Sequence, residues 1–161
     1  MYLSCKANSM LQRLILFLTL NFGALALGSI FTSKGVPSDW YTNLNKAPWT
    51  PPGWMFGFAW TTIMICFTFF MAYAVKETKK LKSLIILFSL QWVLNVTWNP
   101  VFFYFQNPLG GLLIITSLTL MVGFLLYQYL HMLKLKSLYI APYFLWLLVA
   151  TSLNAYVLFN N

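Results

Sequence analysis

Five stretches of the chain are apolar almost without interruption, at about residues 11–31, 53–75, 81–104, 109–130 and 138–159, and polar residues collect in the short gaps between them. Each run is close to the roughly 20 residues that an α-helix needs to cross the hydrocarbon of a bilayer. None alternates apolar and polar positions at a period of two, as the strands of a membrane barrel do, so only helices can satisfy the backbone inside them. The pattern predicts an all-α integral membrane protein, a bundle of five transmembrane helices in a single domain over residues 1–161.

The first run admits a second reading. Lys6 and Arg13 precede an apolar stretch reaching Ala24-Leu25-Ala26, a sequence that signal peptidase could cut, which would leave four spans. Because the apolar run continues through Gly28 and Ile30 to Phe31, longer than a signal core needs, a retained helix is expected.

Composition agrees with a lipid environment. Of the 161 residues, 60% are hydrophobic and 7% charged, whereas in soluble domains roughly a quarter are ionic. The net charge of +8 would make nucleic acid a candidate partner of a soluble protein. Here the basic residues sit in the gaps between apolar runs, where they set topology and meet anionic lipid head groups, and no nucleic-acid partner is expected. Lys6, Arg13, Lys76, Lys79, Lys80, Lys82, Lys134 and Lys136 fall on one side, Lys34 and Lys46 on the other. In an ordinary plasma or bacterial inner membrane, the excess of positive charge in cytoplasmic segments then places the N-terminus in the cytoplasm and the C-terminus outside, and a multi-pass protein of the bacterial inner membrane is the expected case.

Conventional catalytic chemistry has little to work with. The acids are Asp39 and Glu77 and the histidine is His131, in separate connections or span ends, with Asp39 across the membrane from the other two. No carboxylate pair, nucleophilic triad or metal cluster can be assembled from them. Cys5 in the N-terminal tail and Cys66 within a span suit neither a disulfide framework nor a metal motif.

What remains is neutral and polar. Gln91, Asn95, Trp98 and Phe102 fall at i, i+4, i+7 and i+11 and share one helical face, with Asn99 at its margin. Amides facing hydrocarbon are costly, so this face looks inward, either bonding neighbouring helices or lining a cavity. In the fifth run Pro142, Trp146, Ala150 and Leu153 form a stripe, with Asn154 one turn beyond Ala150. In the second, Gly53, Gly57, Trp60 and Met64 share a face whose glycines would admit a neighbouring helix or a flat ligand. Packing is the commoner use of such stripes. Three helices that each offer a tryptophan, two with an amide nearby, would also make an apolar cavity with few polar anchors.

The first connection stands apart, since Pro37, Pro48, Pro51 and Pro52 stiffen a segment carrying Trp40, Tyr41, Trp49 and Trp54. By spacing alone it reads either as an interfacial aromatic belt or as a lid over a pocket.

These residues together resemble the TspO/MBR family, the translocator and tryptophan-rich sensory proteins. The resemblance rests on Trp40-Tyr41, Leu44, Pro48-Trp49-Thr50-Pro51-Pro52, Phe56-Gly57 and Trp60. It is carried further by Gln91, Leu94-Asn95, Trp98-Asn99 and Phe102-Phe103 in the third run, and by Pro142-Tyr143-Phe144-Leu145-Trp146, Ala150 and Leu153-Asn154 in the fifth. It implies five helices around a ligand cavity capped by the first loop, which turns the loop reading from belt to lid. It also implies binding of tetrapyrroles such as protoporphyrin IX and haem and of other hydrophobic small molecules, contact with membrane lipids, a homodimer, and no required cofactor or metal. The implied ligand-binding residues are Trp40, Trp49, Trp60, Gln91, Asn95, Phe102, Pro142, Tyr143, Trp146 and Ala150. Light-dependent porphyrin degradation, with Trp60 and Trp146 as the reacting tryptophans, and transport of porphyrin or sterol-like lipids are the alternatives it implies.

Two departures from the family pattern are visible. At the end of the fifth run Ala155 takes the place of the tyrosine in the sterol motif of animal members, Tyr156 follows, and Phe159-Asn160-Asn161 supplies no basic residue. The third run lacks a small-xxx-small pair for dimer contacts, and Ala24 with Gly28 in the first run is the nearest such pair.

Overall fold

The computed structural model describes residues 9–161; Cys5 and Lys6 lie outside the described residues. Its elements are α1 (Met10–Gly35), a short α2 (Asp39–Asn43), α3 (Gly53–Glu77), α4 (Leu81–Asn99), continued by a π-helical turn (Pro100–Tyr104), α5 (Pro108–Leu133), a 3-10 segment (Lys134–Ile140) and α6 (Ala141–Asn160). The five long helices correspond to the five apolar runs, and α1 is uninterrupted through the Ala24-Leu25-Ala26 sequence.

Local chemistry starts and ends these helices. Ser9 and Gln12 form a reciprocal capping box at the head of α1, with Ser9 Oγ accepting from Gln12 N at 3.3 Å and Gln12 Oε1 accepting from Ser9 N at 2.8 Å. Asn107 caps α5 by accepting from Gly110 N at 2.9 Å, and Pro108 sits at the first turn, where its missing N–H costs nothing.

From Pro108 to Asn160 the chain is helical for 53 residues, a length that laid straight would be about 80 Å. It instead reverses at Lys134, whose φ of +50° and ψ of −125° break the α-helical path. The 3-10 segment and α6 then run back antiparallel to α5. Asn154 Nδ2 donates to Pro108 O at 3.0 Å, the Thr119 and Thr151 hydroxyls meet at 3.0 Å, and Phe144 fills the space beside Gly123. One helical stretch thus supplies two spans.

The bundle core, with Phe67, Phe70, Met71, Leu84, Leu118, Val122, Leu125 and Leu147 all sealed from the surface, lies among α3, α4, α5 and α6. The outward faces of α1, α4 and α5 carry exposed leucine, isoleucine, valine and phenylalanine, as a surface solvated by lipid requires. Basic residues Arg13, Lys76, Lys79, Lys80, Lys82, Lys134 and Lys136 collect at one end; the loop joining α1 to α3 occupies the other.

Polar groups inside the bundle act as ties. Asn21 Nδ2 on α1 donates to Thr68 Oγ1 on α3 at 3.0 Å and approaches Met64 O at 3.4 Å. Trp92 Nε1 on α4 donates to Leu20 O on α1 at 2.9 Å. Near the loop end, Thr32 Oγ1 donates to Asn99 Oδ1 at 2.9 Å. Gly28 lets Asn99 approach so closely that a Cβ would stand 2.6 Å from its Nδ2. The Ala24 and Gly28 pair is therefore buried within the chain. It is spent on α1–α4 packing and presents no free face to a second copy.

Candidate functional site

Pro100 shapes the loop end of the bundle. Without an N–H it cannot continue the α-helical ladder, and the turn widens, with Phe105 N bonding Pro100 O at 3.0 Å and Asn107 N bonding Val101 O at 3.2 Å. Phe102 and Phe103 are consecutive, yet both are buried. They form the platform on which the first loop rests.

The loop is tied at three points. Trp40 meets Phe102 edge-on at 5.5 Å, and Tyr41 packs against Phe103 at 5.5 Å with the Lys46 ammonium 4.4 Å from its own ring centroid. Burial pushes the Tyr41 phenol above its ordinary range. Trp49 Nε1 donates to Ser152 Oγ at 3.2 Å and its ring lies edge-on to Tyr156 at 5.4 Å. At the chain end, Asn45 N donates to Asn161 Oδ1 at 2.8 Å and Asn161 Nδ2 donates to Asn45 O at 3.3 Å. The segment between α1 and α3 thus lies across α4 and the last turns of α6, with Ala47 buried beneath it.

Below the loop, the face read from the third run is inward. Gln91 and Asn95 are buried. Gln91 Nε2 donates to Tyr143 OH at 2.8 Å, joining α4 to α6. Tyr143, wholly buried, is flanked edge-on by Trp60 at 6.0 Å and Phe67 at 5.3 Å from α3. Trp98 stacks on Phe102 at 5.1 Å, and its Nε1 donates to Asn154 Oδ1 at 3.1 Å. Asn154 thereby joins α4, α5 and α6 through one amide, as polar side chains between membrane helices commonly do. Trp146 is set edge-on to Phe56 at 5.4 Å. Ala150, one turn further along α6, packs against the core beside it.

The structure distributes the ten sequence-derived site residues in three groups. Trp60, Gln91, Asn95, Tyr143, Trp146 and Ala150 lie in or against the buried core beneath the loop. Trp40 and Phe102 form its ceiling. Trp49 and Pro142 lie on the rim: Trp49 is 55% exposed on the outer side of α6, and Pro142 borders a lipid-facing groove. No neighbouring helix closes on Gly53 or Gly57, for a Cβ on either would meet nothing within 4 Å. They lie where α3 emerges from the bundle.

Two polar atoms of this interior have no protein partner. Gln91 Oε1 and Trp146 Nε1 are both enclosed without a hydrogen bond among the described residues. An acceptor and a donor left open in an aromatic interior form a small set of anchors for a largely apolar molecule. Among the described residues no three of His, Cys, Asp or Glu come together as metal ligands. Residues such as Ser152 and Asn161, which hold the loop, carried no site signal of their own, because their contacts join distant segments.

A five-helix membrane protein whose stiff aromatic loop is bound down over an aromatic, sparsely polar interior is the class that fold and site define. The chain belongs to the TspO/MBR family, whose profile matches residues 15–159. It is 34% identical over 138 residues to "Tryptophan-rich protein TspO" of Chlorobaculum tepidum, covering 83% of this chain and 86% of that protein. It is also 30% identical over 121 residues to "Tryptophan-rich sensory protein" of Cereibacter sphaeroides, covering 73% and 74%. With the human "Translocator protein" it shares 30% identity over 148 residues, covering 86% of each. Family and fold together make this an integral membrane protein.

Proposed function

We propose that the protein binds tetrapyrroles such as protoporphyrin IX and haem, or similarly flat hydrophobic molecules, in the interior bounded by Trp60, Gln91, Asn95, Tyr143, Trp146 and Ala150. The observation that carries this reading is the pair of unpartnered polar atoms, Gln91 Oε1 and Trp146 Nε1, inside an otherwise aromatic and apolar enclosure. A macrocycle has two apolar faces for Trp60 and Trp146 to stack on, N–H and carboxyl groups at its centre and edge for the two anchors, and little need of charge. The loop of Trp40 and Trp49 closes the space from the aqueous side. The basic end of the molecule faces the cytoplasm of a bacterial inner membrane in this reading.

The test is saturable quenching of tryptophan emission by protoporphyrin IX in protein reconstituted in lipid. Trp146→Phe keeps a ring but removes one donor, and its affinity is expected to fall about two- to twelvefold, the worth of one hydrogen bond of about 0.5–1.5 kcal/mol. Quenching that never saturates, or that is identical in Trp60→Phe, Trp146→Phe and the parent, overturns the assignment. Loss of the porphyrin Soret band under light at sub-stoichiometric protein would extend binding to turnover.

A further inference from the structure

The loop side of the interior is shut, whereas one side facing lipid is not. A groove of about 360 Å³ runs along the outside of the bundle between α3 and α6, walled by Phe58, Ala59 and Ile63 on one helix and by Pro142, Trp146 and Val149 on the other. Trp146 belongs both to this groove and to the interior. Its ring forms part of the outer wall, while its Nε1 is enclosed and unpartnered.

Of the seams that α6 makes with α3, α4 and α5, the one with α3 is held differently. Helix α6 is held to α4 by the Gln91–Tyr143 and Trp98–Asn154 hydrogen bonds and to α5 by Thr119–Thr151 and Asn154–Pro108. Helix α3 is held to α1 through Asn21 and Thr68. Among the described residues no side-chain hydrogen bond joins α3 to α6. They meet through ring contacts, Phe56–Trp146, Trp60–Tyr143 and Phe67–Tyr143. Dispersion contacts are individually weak and directionally tolerant, so a ring can swing without leaving a buried polar atom unpaired. The open space at Gly57 removes a further obstacle.

We infer that the hydrophobic ligand of the interior enters and leaves sideways, from the bilayer, through the α3–α6 groove, with the Trp146 ring as the movable partition. This rests on the binding reading above. The occupant of the groove is that ligand in transit. A flat molecule with little charge concentrates in the membrane rather than in water, and the groove meets it there, with Trp146 and Pro142 continuous between groove and site. The aqueous route would require breaking the Trp49–Ser152 and Asn45–Asn161 hydrogen bonds and unstacking Trp40 and Tyr41 from Phe102 and Phe103.

The test is stopped-flow quenching with protoporphyrin IX on the full chain in lipid nanodiscs. Val149→Phe and Ala59→Phe fill the groove without altering the six interior residues. Both are expected to slow association and dissociation together, by about tenfold for a barrier raised by 1.4 kcal/mol, while the equilibrium affinity stays within about twofold, since a portal changes the barrier and not the end states. Ser152→Ala, which unties Trp49, is expected to leave both rates as in the parent. Parent-like rates in both groove variants, or faster exchange in Ser152→Ala, overturn the lateral route while leaving the site intact. Absence of saturable binding in the parent overturns the site itself and the route with it.

Discussion

Asn154 shows how much one amide does at the residue scale. It accepts from Trp98 Nε1 and donates to Pro108 O, so Asn154→Leu strands a donor on α4 and an acceptor on α5. Polar ties inside membranes average about 0.6 kcal/mol each by double-mutant cycles. The stranded partners raise the expected loss to about 1–3 kcal/mol, read as a lower unfolding midpoint in detergent. Thr68→Val should cost less, because Asn21 still reaches Met64 O. Tyr41 gives a pH-dependent counterpart. Burial holds its folded-state pKa above the unfolded value of about 10. The stability it contributes is therefore complete below about pH 10 and is lost as pH rises through the folded value. Thermal melts in alkaline buffer should show this loss in the parent and a smaller one in Tyr41→Phe. Of these residues, Asn154 could be picked out from the sequence because it lay on an inward stripe. That it pairs with Trp98 and Pro108 could not be read, since both are distant along the chain. Asn21 escaped notice for a similar reason: a single amide in an apolar run has no periodic signature.

At the scale of elements, helix ends and reversals follow local chemistry that the sequence shows, while close approaches do not. A Cβ on Gly35 would stand 2.4 Å from Phe103 Cδ1, whereas one on Gly23 meets nothing within 4 Å. Gly35→Ala should therefore destabilise the protein by about 1–3 kcal/mol through overpacking and loosen the loop platform. Gly23→Ala should be neutral or slightly stabilising through helix propensity. Both are measurable as shifts in melting temperature. Lys134 has φ near +50°, a region that favours glycine, and Lys134→Gly is expected to stabilise the reversal by about 1 kcal/mol. Sequence reading placed a connection there from its lysines and polar composition, and the structure keeps it helical on both sides of a single bent residue. The turn at Pro100 is the converse case. Proline announces a break, but only the widened helix brings Phe102 and Phe103 together under Trp40 and Tyr41.

For the whole molecule, the separation of basic residues to one end makes orientation a measurable consequence. In a background lacking Cys5 and Cys66, Lys46→Cys should react with an impermeant thiol reagent in intact cells, and Lys79→Cys only after permeabilisation. Labelling in the opposite sense would reverse the topology expected from charge. The tethered loop, closed α4–α6 and α5–α6 contacts and weakly joined α3–α6 seam together give the molecule a sealed end and a side that can part.

Hydrophobic run length by itself determined that the chain crosses the membrane as five helices. Transfer of apolar side chains into lipid and the need to satisfy every backbone group locally are properties of each segment alone. The third run's polar spacing likewise determined which face turns inward. Tertiary structure alone decided which amides are consumed as ties and that Gln91 Oε1 and Trp146 Nε1 are among the atoms that stay open. It also decided that the Ala24 and Gly28 pair is spent within the chain, and that Trp49 lies on the rim rather than in the interior. Each of these depends on which distant side chain arrives opposite, and pairing across helices is set by the packing of all of them at once.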